Sequence, residues 1–496
     1  MEINPANQCR DYCIIGRNYD SEQPDRVLQE FEDTIFGQDQ RIVESQRPEQ
    51  VPFDLASELH LKFDALAIAY RRVEAAMSSS ESYWRRRVFA VTWLTYAGFY
   101  LCRKNFAVAM PLLTEEFGYT KLDLATIIFV FSLFYAGGQF LNALLSDRFG
   151  ARLVVGIGMM VSAASNIAMG FAGSLLAFTL LAPLNGFAQS TGWAGLVKTM
   201  ASWFRPRERG VVMGWWGTCF VLGGSFATIF ATFLVTSEMF FAGAGWRRAF
   251  FFPALALGAV AALFVVLVRN RPADVGLDSL EVETSGSRVT GTTTSLLRST
   301  LAEPALWAIS AMYFFLKSTR YAFLFWLPLY MTEALHYSLA EAGFTSALYE
   351  LVGFSGAIFA GYVSDKLMGS RRFPVGTLML LALALVLFLH PFFSSHGTVG
   401  LAVWISLVGI FTYGPDTLMS GAAAQDVGGG TATAAGIVNG VGSVGQLLSP
   451  LIVAFVADQY GWDYVFMVFV AFALAGAGLL ATQWGYRTPG IEEGSS

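Results

Sequence analysis

The sequence predicts an all-α integral membrane protein of twelve spanning helices, arranged as two six-helix halves related by pseudo-two-fold symmetry. Of its 496 residues, 54% are hydrophobic and only 14% are charged, whereas about 25% of residues in soluble domains are charged. After Phe89, apolar stretches of about 20 residues, the length that crosses a bilayer, follow one another almost without pause. A repeat of charged residues, described below, divides these stretches into two sets. A freely soluble enzyme and a single-span receptor are therefore excluded, and the lipid bilayer is the expected partner of most of the surface.

Residues 1–83 are predicted to form an acidic soluble tail. Residues 1–80 carry 15 acidic and 8 basic side chains and contain no apolar run long enough to span a bilayer. They also lack the basic start and apolar core of a signal peptide. Turn residues such as Pro48 and Pro52 separate short apolar segments, which favours a fragment of a soluble domain too short to hold its own core. A disordered tail is the alternative, and this charge distribution predicts no nucleic-acid partner.

Hydropathy predicts six spans on each side of one long polar segment. Residues 270–304 form that segment and are predicted to be a cytoplasmic linker between the halves 84–269 and 305–486, with 487–496 as a C-terminal tail. The predicted spans are 88–112, 122–145, 151–173, 175–199, 211–236, 247–269, 305–331, 340–363, 374–393, 398–421, 431–456 and 463–485.

The distribution of basic residues predicts the orientation. Arg85, Arg86 and Arg87 precede the first span, and the even-numbered loops carry clusters such as Arg148 with Arg152. Cytoplasmic loops carry an excess of Lys and Arg. Both termini are therefore predicted to be cytoplasmic.

No catalytic or cofactor site is predicted. The four cysteines, Cys9, Cys13, Cys102 and Cys219, form neither a disulfide framework nor a metal cluster by spacing. No Ser-His-Asp set can be assembled from the four histidines. The expectation is a protein that is not an enzyme and holds no cofactor or metal.

The two halves repeat each other at a nearly constant offset. Arg103 and Arg320 each stand eight residues before a proline and are 217 residues apart. The runs Ser146-Asp147-Arg148 and Ser364-Asp365-Lys366 are 218 residues apart. Parallel repeats of this kind are typical of transporters whose substrate binds between the halves near the bilayer midplane.

Arg103 and Arg320 are the principal candidates for substrate binding. Each lies inside an apolar span, where an arginine costs about 2.5–3.5 kcal/mol on insertion scales and marks a functional site by default. Two facing guanidinium groups would each donate paired hydrogen bonds to the oxygens of a small dianion, and phosphate fits this arrangement best. In the alternative interpretation each arginine pairs with an intramembrane acid, for which Glu350 or Asp416 could serve.

Other polar residues share a helical face with these arginines. Tyr96 and Tyr100 precede Arg103 by seven and three residues, and Lys317 precedes Arg320 by three. Lys317 is predicted to add a third positive charge to the cavity, and the alternative is a lysine that snorkels to the membrane interface.

Two groups of residues are assigned to helix packing instead. Lys104 points about 100° away from Arg103 around the helix. The glycines of Gly223-Gly224 and of the stretch from Gly436 to Gly445 indicate close helix approach, because no strand or Lys-Ser pair makes them a nucleotide loop.

These motifs resemble a known family. The run from Asp147 and Arg148 to Arg152, with its echo Asp365-Lys366, resembles the loop signature of the major facilitator superfamily, which implies a conformational role for these four loop residues. More specifically, four stretches resemble the organophosphate:phosphate antiporters; they are Tyr96 to Pro111, Arg205 to Gly210, Arg320-Tyr321 with Trp326-Leu-Pro328, and Tyr413-Gly414-Pro415.

The resemblance implies a twelve-helix major facilitator fold and a set of binding residues. Arg103 and Arg320 would bind phosphate, Tyr96, Tyr100 and Tyr135 would line the cavity, and Glu350 and Lys198 match family positions. Three positions depart from the family pattern. Gln139 and Phe220 stand where glycerol-phosphate carriers have a lysine and a histidine, and Lys317 replaces a tyrosine. A phosphosugar or phosphoglycerate is therefore as plausible a substrate as glycerol 3-phosphate.

The tail resembles a different protein. Asp39, the run Val43 to Pro48 and the run Ser57-Glu58-Leu59-His60 resemble the C-terminal end of the oxygenase component of Rieske-type aromatic demethylases. The tail lacks the paired Cys and His ligands of an iron–sulfur cluster, so we interpret it as a fused remnant, or a mispredicted start, without catalytic activity.

The expected function is exchange of an organic phosphate for inorganic phosphate by rocker-switch alternating access. The protein is expected to be a monomer in a bacterial inner membrane, with a small anionic substrate as its partner. The alternatives are a proton-coupled symporter of organic or aromatic carboxylates, a membrane-tethered oxygenase component and a sensor that does not transport.

Overall fold

The computed structural model describes residues 2–4, 8–10, 34, 65–204, 206–237, 241–277, 301–369, 371–427 and 432–486. The chain divides into two compact units, residues 1–80 and 81–496. The residues of the tail that resemble an oxygenase, most of the predicted linker 270–304 and the C-terminal tail lie outside the described residues, so the domain boundaries stay predictions.

The first unit contains a short antiparallel sheet that the all-α prediction did not include. Strand β1 (Glu2–Asn4) pairs with strand β2 (Gln8–Arg10), and Ile3 stands opposite Cys9. Strands of three residues are too short to show the alternating pattern by which strands are predicted.

Helices occupy every predicted span of the second unit. The amino-terminal half contains α1 (Ala65–Phe117), α2 (Lys121–Phe149), α3 (Ala151–Gly170), α4 (Leu175–Gln189), α5 (Thr191–Trp203), α6 (Pro206–Thr236) and α7 (Arg248–Leu267). The carboxy-terminal half contains α8 (Pro304–Glu333), α9 (Leu339–Tyr362), α10 (Arg372–Phe388), α11 (His390–Ser394), α12 (Gly397–Thr417), α13 (Ala424–Val427), α14 (Ala432–Tyr460) and α15 (Trp462–Ala481). Short 3₁₀ helices cover Ala242–Arg247 and Pro272–Val275, and π-helical turns cover Val363–Leu367 and Leu418–Ala423. By length and apolar composition, eight of the described helical segments can cross a bilayer.

The fourth predicted span, 175–199, is not one continuous helix. It is divided into α4 and α5 at Ser190. The Ser190 hydroxyl donates to the backbone carbonyl of Phe187 (2.7 Å) and accepts from Asn142 Nδ2 (2.7 Å). Serine side chains that bond nearby backbone groups compete with the backbone hydrogen bonds of the helix. The hydropathy of an apolar run does not reveal this competition.

Among the described residues, two pairs of helices pack extensively across the boundary between the halves. Helix α2 packs against α14, and α6 packs against α9. The remaining major contacts, such as those of α8 with α14 and of α9 with α12, lie within one half. A cavity can therefore form between the halves, with α1 and α8 on facing walls.

Glycines allow the helices to approach closely, as predicted for α14. A Cβ atom at Gly445 would lie 2.1 Å from the carbonyl oxygen of Phe314 on α8. In membranes small residues at helix crossings permit such backbone approach. Gly440 lies on the same helix, and a Cβ atom there would meet no atom within 4 Å.

We expect Gly445→Ala to destabilise the protein by about 1–3 kcal/mol, because overpacking forces the two backbones apart. Gly440→Ala is the matched control and should not destabilise the protein, because alanine is favoured over glycine inside a helix. Thermal unfolding of the detergent-solubilised variants, followed by size-exclusion chromatography, measures the difference. Equal stability of the two variants would contradict the packing role of Gly445.

Candidate substrate-binding site

A kink in α1 positions Arg103. The preceding residue, Cys102, departs from helical backbone angles (φ −99°, ψ 16°). Its carbonyl accepts hydrogen bonds from Asn185 Nδ2 (3.0 Å) and Gln189 Nε2 (2.8 Å), both on α4. Gln189 also accepts a hydrogen bond from Arg103 Nε (2.7 Å) through its Oε1. The same glutamine therefore fixes the kinked backbone and one edge of the guanidinium.

The rest of the Arg103 guanidinium faces aromatic rings and the cavity. Its central carbon lies 4.8 Å from the ring centre of Tyr100 and 4.7 Å from that of Tyr135. Nη2 is buried without a hydrogen-bond partner among the described residues. Within that part of the chain no carboxylate lies within 4.0 Å of Arg103. Its charge is therefore available to an anion.

Arg320 has a counter-ion. Its Nη1 donates to Asp416 Oδ2 at 2.9 Å, and both side chains are buried. The rings of Tyr413 and Phe220 lie 4.7 and 5.3 Å from the guanidinium carbon. Asp416 stands near the end of α12, just before the π-helical turn Leu418–Ala423, and such turns are frequent at functional sites. The alternative in which an intramembrane acid pairs with an arginine thus holds for Arg320.

Glu350 pairs with a different cation. Its Oε2 lies 3.1 Å from Lys104 Nζ, and its Oε1 accepts a hydrogen bond from the Tyr413 hydroxyl (3.4 Å). Lys104 also donates to the backbone carbonyl of Leu324 (2.9 Å). Gly224 on α6 leaves the space that this carboxylate fills, because a Cβ atom there would lie 2.3 Å from Oε1. Glu350 is absent from the described lining of the cavity, and its predicted role in substrate binding stays a prediction.

Lys317 is buried in the cavity wall. Its Nζ lies 3.4 Å from Asn439 Oδ1 and 3.5 Å from Ser443 Oγ on α14. Its ammonium also lies 5.0 Å from the ring centre of Tyr313. The structure therefore places Lys317 in the lining of the cavity, and its role in substrate binding stays a prediction.

The cavity between the halves has a volume of about 460 Å³, within the range of small-molecule sites. Its described lining contains three cations and one acid, for a net charge of +2. The lining residues are Tyr96, Tyr100, Arg103, Tyr135, Gln139, Trp193, Phe220, Tyr313, Lys317, Arg320, Tyr321, Asp416, Ser420, Asn439, Ser443 and Gln446. Both predicted arginines, Lys317, Asp416 and all three predicted tyrosines belong to this one cavity.

Several lining residues were missed by the sequence analysis. Asn439, Ser443 and Gln446 form a polar stripe at helical spacing within an apolar span, and this spacing could have revealed them. Trp193 carries no such signal, because aromatic residues are common throughout the spans.

The loop-signature residues lie at one end of the helices, outside the described lining of this cavity. Lys198 Nζ lies 2.5 Å from Asp147 Oδ1 in the amino-terminal half, and Arg372 Nη1 lies 3.4 Å from Asp365 Oδ1 in the other. Arg148 and Lys366 are exposed. These two ion pairs stay within their own halves.

A different ion pair joins the halves at the opposite end. Lys121, at the start of α2, contacts Glu333 Oε1 (2.5 Å) and Asp458 Oδ1 (3.2 Å). Both acids belong to the carboxy-terminal half. The described halves are therefore bridged by charges at the end remote from the loop signatures and, through Lys104 and Glu350, in the interior.

Residues 92–450 match the Major Facilitator Superfamily, and residues 5–80 match the vanillate O-demethylase oxygenase C-terminal domain. The chain is 30% identical to a glycerol-3-phosphate transporter of Bacillus subtilis, covering 83% of this chain and 95% of the relative. It is 28% identical to a probable hexose phosphate transport protein of Chlamydia pneumoniae, covering 81% and 91%. It is 30% identical to the membrane sensor protein UhpC of Escherichia coli, covering 82% and 94%.

A solved structure shares the fold. The inward-facing crystal structure of a bacterial homolog of the human lysosomal transporter Spinster superposes with a TM-score of 0.63 at 15% identity, covering 81% of this chain and 96% of that one. The predicted fold class is confirmed. The chain is an integral membrane protein that belongs to the major facilitator superfamily and, within it, to the organophosphate:phosphate antiporter family, whose members are not enzymes.

Proposed function

We propose that this protein is a secondary transporter that exchanges an organic phosphate ester for inorganic phosphate across a bacterial inner membrane. One observation carries the proposal: a positively charged cavity lies between the halves, and its Arg103 has an unpartnered donor and no carboxylate within 4.0 Å in the described structure. Two relatives, a glycerol-3-phosphate transporter and a probable hexose phosphate transport protein, are named for substrates that agree with this charge.

The arginines divide the work of binding. A phosphate group that enters the cavity meets the available donors of Arg103 first, and guanidinium groups match phosphate oxygens bidentately. Arg320, in the other half, binds the same phosphate once its ion pair with Asp416 separates. Asp416 thus acts as an internal substitute for the substrate anion and keeps Arg320 neutralised between binding events.

Binding between the halves supports rocker-switch alternating access. An anion held by both halves offsets the repulsion between their cations and draws the cavity walls together. The ion pairs of Lys121 with Glu333 and Asp458 join the halves at one end. We propose that these pairs separate when the cavity opens to that side of the membrane. We also propose that both termini face the cytoplasm, at the opposite end of the helices.

Exchange in proteoliposomes tests the proposal. Vesicles that contain the purified protein and unlabelled phosphate should take up labelled inorganic phosphate rapidly, and external phosphate esters should inhibit this uptake. Vesicles preloaded with sulfate instead of phosphate are the control and should take up little label. Absence of exchange in phosphate-loaded vesicles would overturn the proposal.

A proton-coupled symporter of carboxylates is the second candidate. It is favoured by Asp416, a buried intramembrane carboxylate that pairs with a cavity arginine, since such residues also serve in proton relays. Uptake of a carboxylate driven by a pH gradient, without phosphate inside the vesicles, would support this candidate. Binding of phosphate esters without any transport would instead indicate a sensor, as the relative UhpC is named.

A further inference from the structure

Helices α6 and α9, one from each half, pack tightly over only part of their length. A Cβ atom at Gly343 on α9 would clash with Thr232 Oγ1 on α6. Two turns along both helices, a Cβ atom at Gly224 on α6 would clash with Glu350 Oε1 on α9, so the two helices are antiparallel. Nearer the loop-signature end, a Cβ atom at Gly217 on α6 would meet no atom within 4 Å. Close contact between α6 and α9 has therefore ended at that level.

An apolar groove lies between the two helices at this level. Its volume is about 480 Å³, within the range of small-molecule sites. The described lining comes from α6, α9 and α12 and contains no charged side chain. The hydroxyl groups of Thr218 and Tyr413 in this lining already donate to the backbone carbonyl of Trp215 (2.8 Å) and to Glu350 Oε1 (3.4 Å). The described walls of the groove therefore offer a ligand mainly apolar surface.

Two aromatic side chains separate this groove from the charged cavity. Phe220 and Tyr413 line the groove, and their ring centres lie 5.3 and 4.7 Å from the guanidinium carbon of Arg320. Arg320 itself belongs to the cavity lining. The groove is therefore a separate apolar site behind one wall of the anion cavity.

The groove is continuous with the lipid-facing surface of the protein. Two of its lining residues, Trp215 on α6 and Ile358 on α9, are 68% and 60% exposed. Phe226 is also exposed and stands eleven residues after Trp215, and the exposed Leu351 stands seven residues before Ile358. With 3.6 residues per turn, these spacings return to the same face of each helix. Both helices are long and apolar enough to cross a bilayer, so acyl chains cover this face.

Hydrocarbon is the occupant that fits such a groove. Walls that face an empty space lose their van der Waals contacts, and apolar cavities exclude water but take up apolar ligands. Within the span of a membrane the abundant apolar ligand is the acyl chain of a phospholipid. We propose that the groove binds one acyl chain of a membrane phospholipid, which packs against Trp215 and Ile358 at the mouth and against Phe220 and Tyr413 inside. This site does not depend on which anion the cavity carries.

Photo-crosslinking of the full-length protein, purified in a mild detergent, tests the proposal. The probe is a phosphatidylethanolamine that carries a diazirine in one acyl chain, added at increasing molar ratios to the protein. We expect crosslinks to Trp215 and Ile358, mapped by peptide mass spectrometry, to saturate as the probe ratio rises. Leu255 on α7 is as exposed as Ile358, at 61%, but lies outside the described lining of the groove. Crosslinks to Leu255 should be fewer and should rise without saturating.

Variants that fill the groove separate this site from general lipid contact. Gly217→Leu and Gly214→Leu each add a side chain where a Cβ atom would meet nothing within 4 Å, and each should lower crosslinking of Ile358 about tenfold. Gly478→Leu, at an exposed glycine of α15 with equally open surroundings, is the matched control and should leave it unchanged. The variants are compared as monodisperse protein. Unaltered crosslinking in both filling variants, or equal labelling of Leu255 and Ile358 in the wild type, would overturn the proposal. Contacts between the α6–α9 surfaces of two copies, in place of probe crosslinks, would also overturn it.

Discussion

Exchange of labelled phosphate is expected to fall by about thirtyfold or more when Arg103 is replaced by lysine. Arg103 presents an unpartnered Nη2 to the cavity, and its Nε is oriented by Gln189. Lysine retains the charge but has neither the planar fork nor an Nε donor at that distance. Losing one partner of a buried charge-assisted contact costs about 2–5 kcal/mol, and each 1.4 kcal/mol is tenfold in affinity. Exchange and phosphate-ester inhibition in proteoliposomes measure the loss.

Arg320→Lys should also abolish exchange, for a partly different reason. The variant loses one phosphate donor and also weakens the ion pair with Asp416 at 2.9 Å. Both variants should lower thermal stability, and Arg320→Lys should lower it more, because Arg103 loses a hydrogen bond to Gln189 whereas Arg320 loses contact with a buried counter-ion. This difference follows from the counter-ion that only Arg320 has within the part of the chain that the structure describes.

Arg86→Lys is the control for both variants. Arg86 is exposed before the first predicted span and donates to the backbone carbonyl of Ser82 at 3.3 Å, so the change keeps the membrane-flanking charge. Exchange by this variant should equal that of the wild type. Wild-type exchange by both cavity variants at equal amounts of protein in the vesicles would contradict the phosphate-binding role of the arginines.

Most of the fold could be predicted from sequence because a bilayer fixes the length of its spans. An apolar run of about 20 residues has one stable outcome in lipid, a helix whose backbone hydrogen bonds are satisfied internally. Departures from that rule are local and polar. The break at Ser190 depends on a hydroxyl that bonds Phe187 and Asn142, and the kink at Cys102 depends on amides that reach its carbonyl from α4. Hydropathy averages over such contacts.

The members of the site could be predicted better than their partners. Arg103 and Arg320 stand out because intramembrane charges are rare and these two occupy equivalent positions of a repeat. Which acid pairs with which cation depends on how distant helices meet. Asp416 is 96 residues from Arg320, and the sequence offered Glu350 and Asp416 equally as its counter-ion. Glu350 instead meets Lys104, which the sequence assigned to helix packing.

That last pair should show the strongest coupling between two residues of the two halves. Lys104 and Glu350 side chains are 5% and 1% exposed, and they connect α1 with α9. Removing one partner of a buried ion pair leaves an uncompensated buried charge and costs about 3–5 kcal/mol. We therefore expect Lys104→Met and Glu350→Gln to lower the yield of folded protein and its thermal stability severely. The double variant should recover most of both, because it buries neither charge.

Lys198 and Asp147 provide the matched control for this cycle. Their ion pair is also short, at 2.5 Å, but the two side chains are 47% and 65% exposed. Exposed ion pairs are worth about 0–1 kcal/mol, so Lys198→Met should change stability little. Additive effects of Lys104→Met and Glu350→Gln, with no recovery in the double variant, would contradict a direct pair.

Exchange by the recovered double variant tests whether the pair also affects transport. Because the pair joins the halves in the present state, its removal should change the rate of exchange more than the ratio at which different phosphate esters inhibit it.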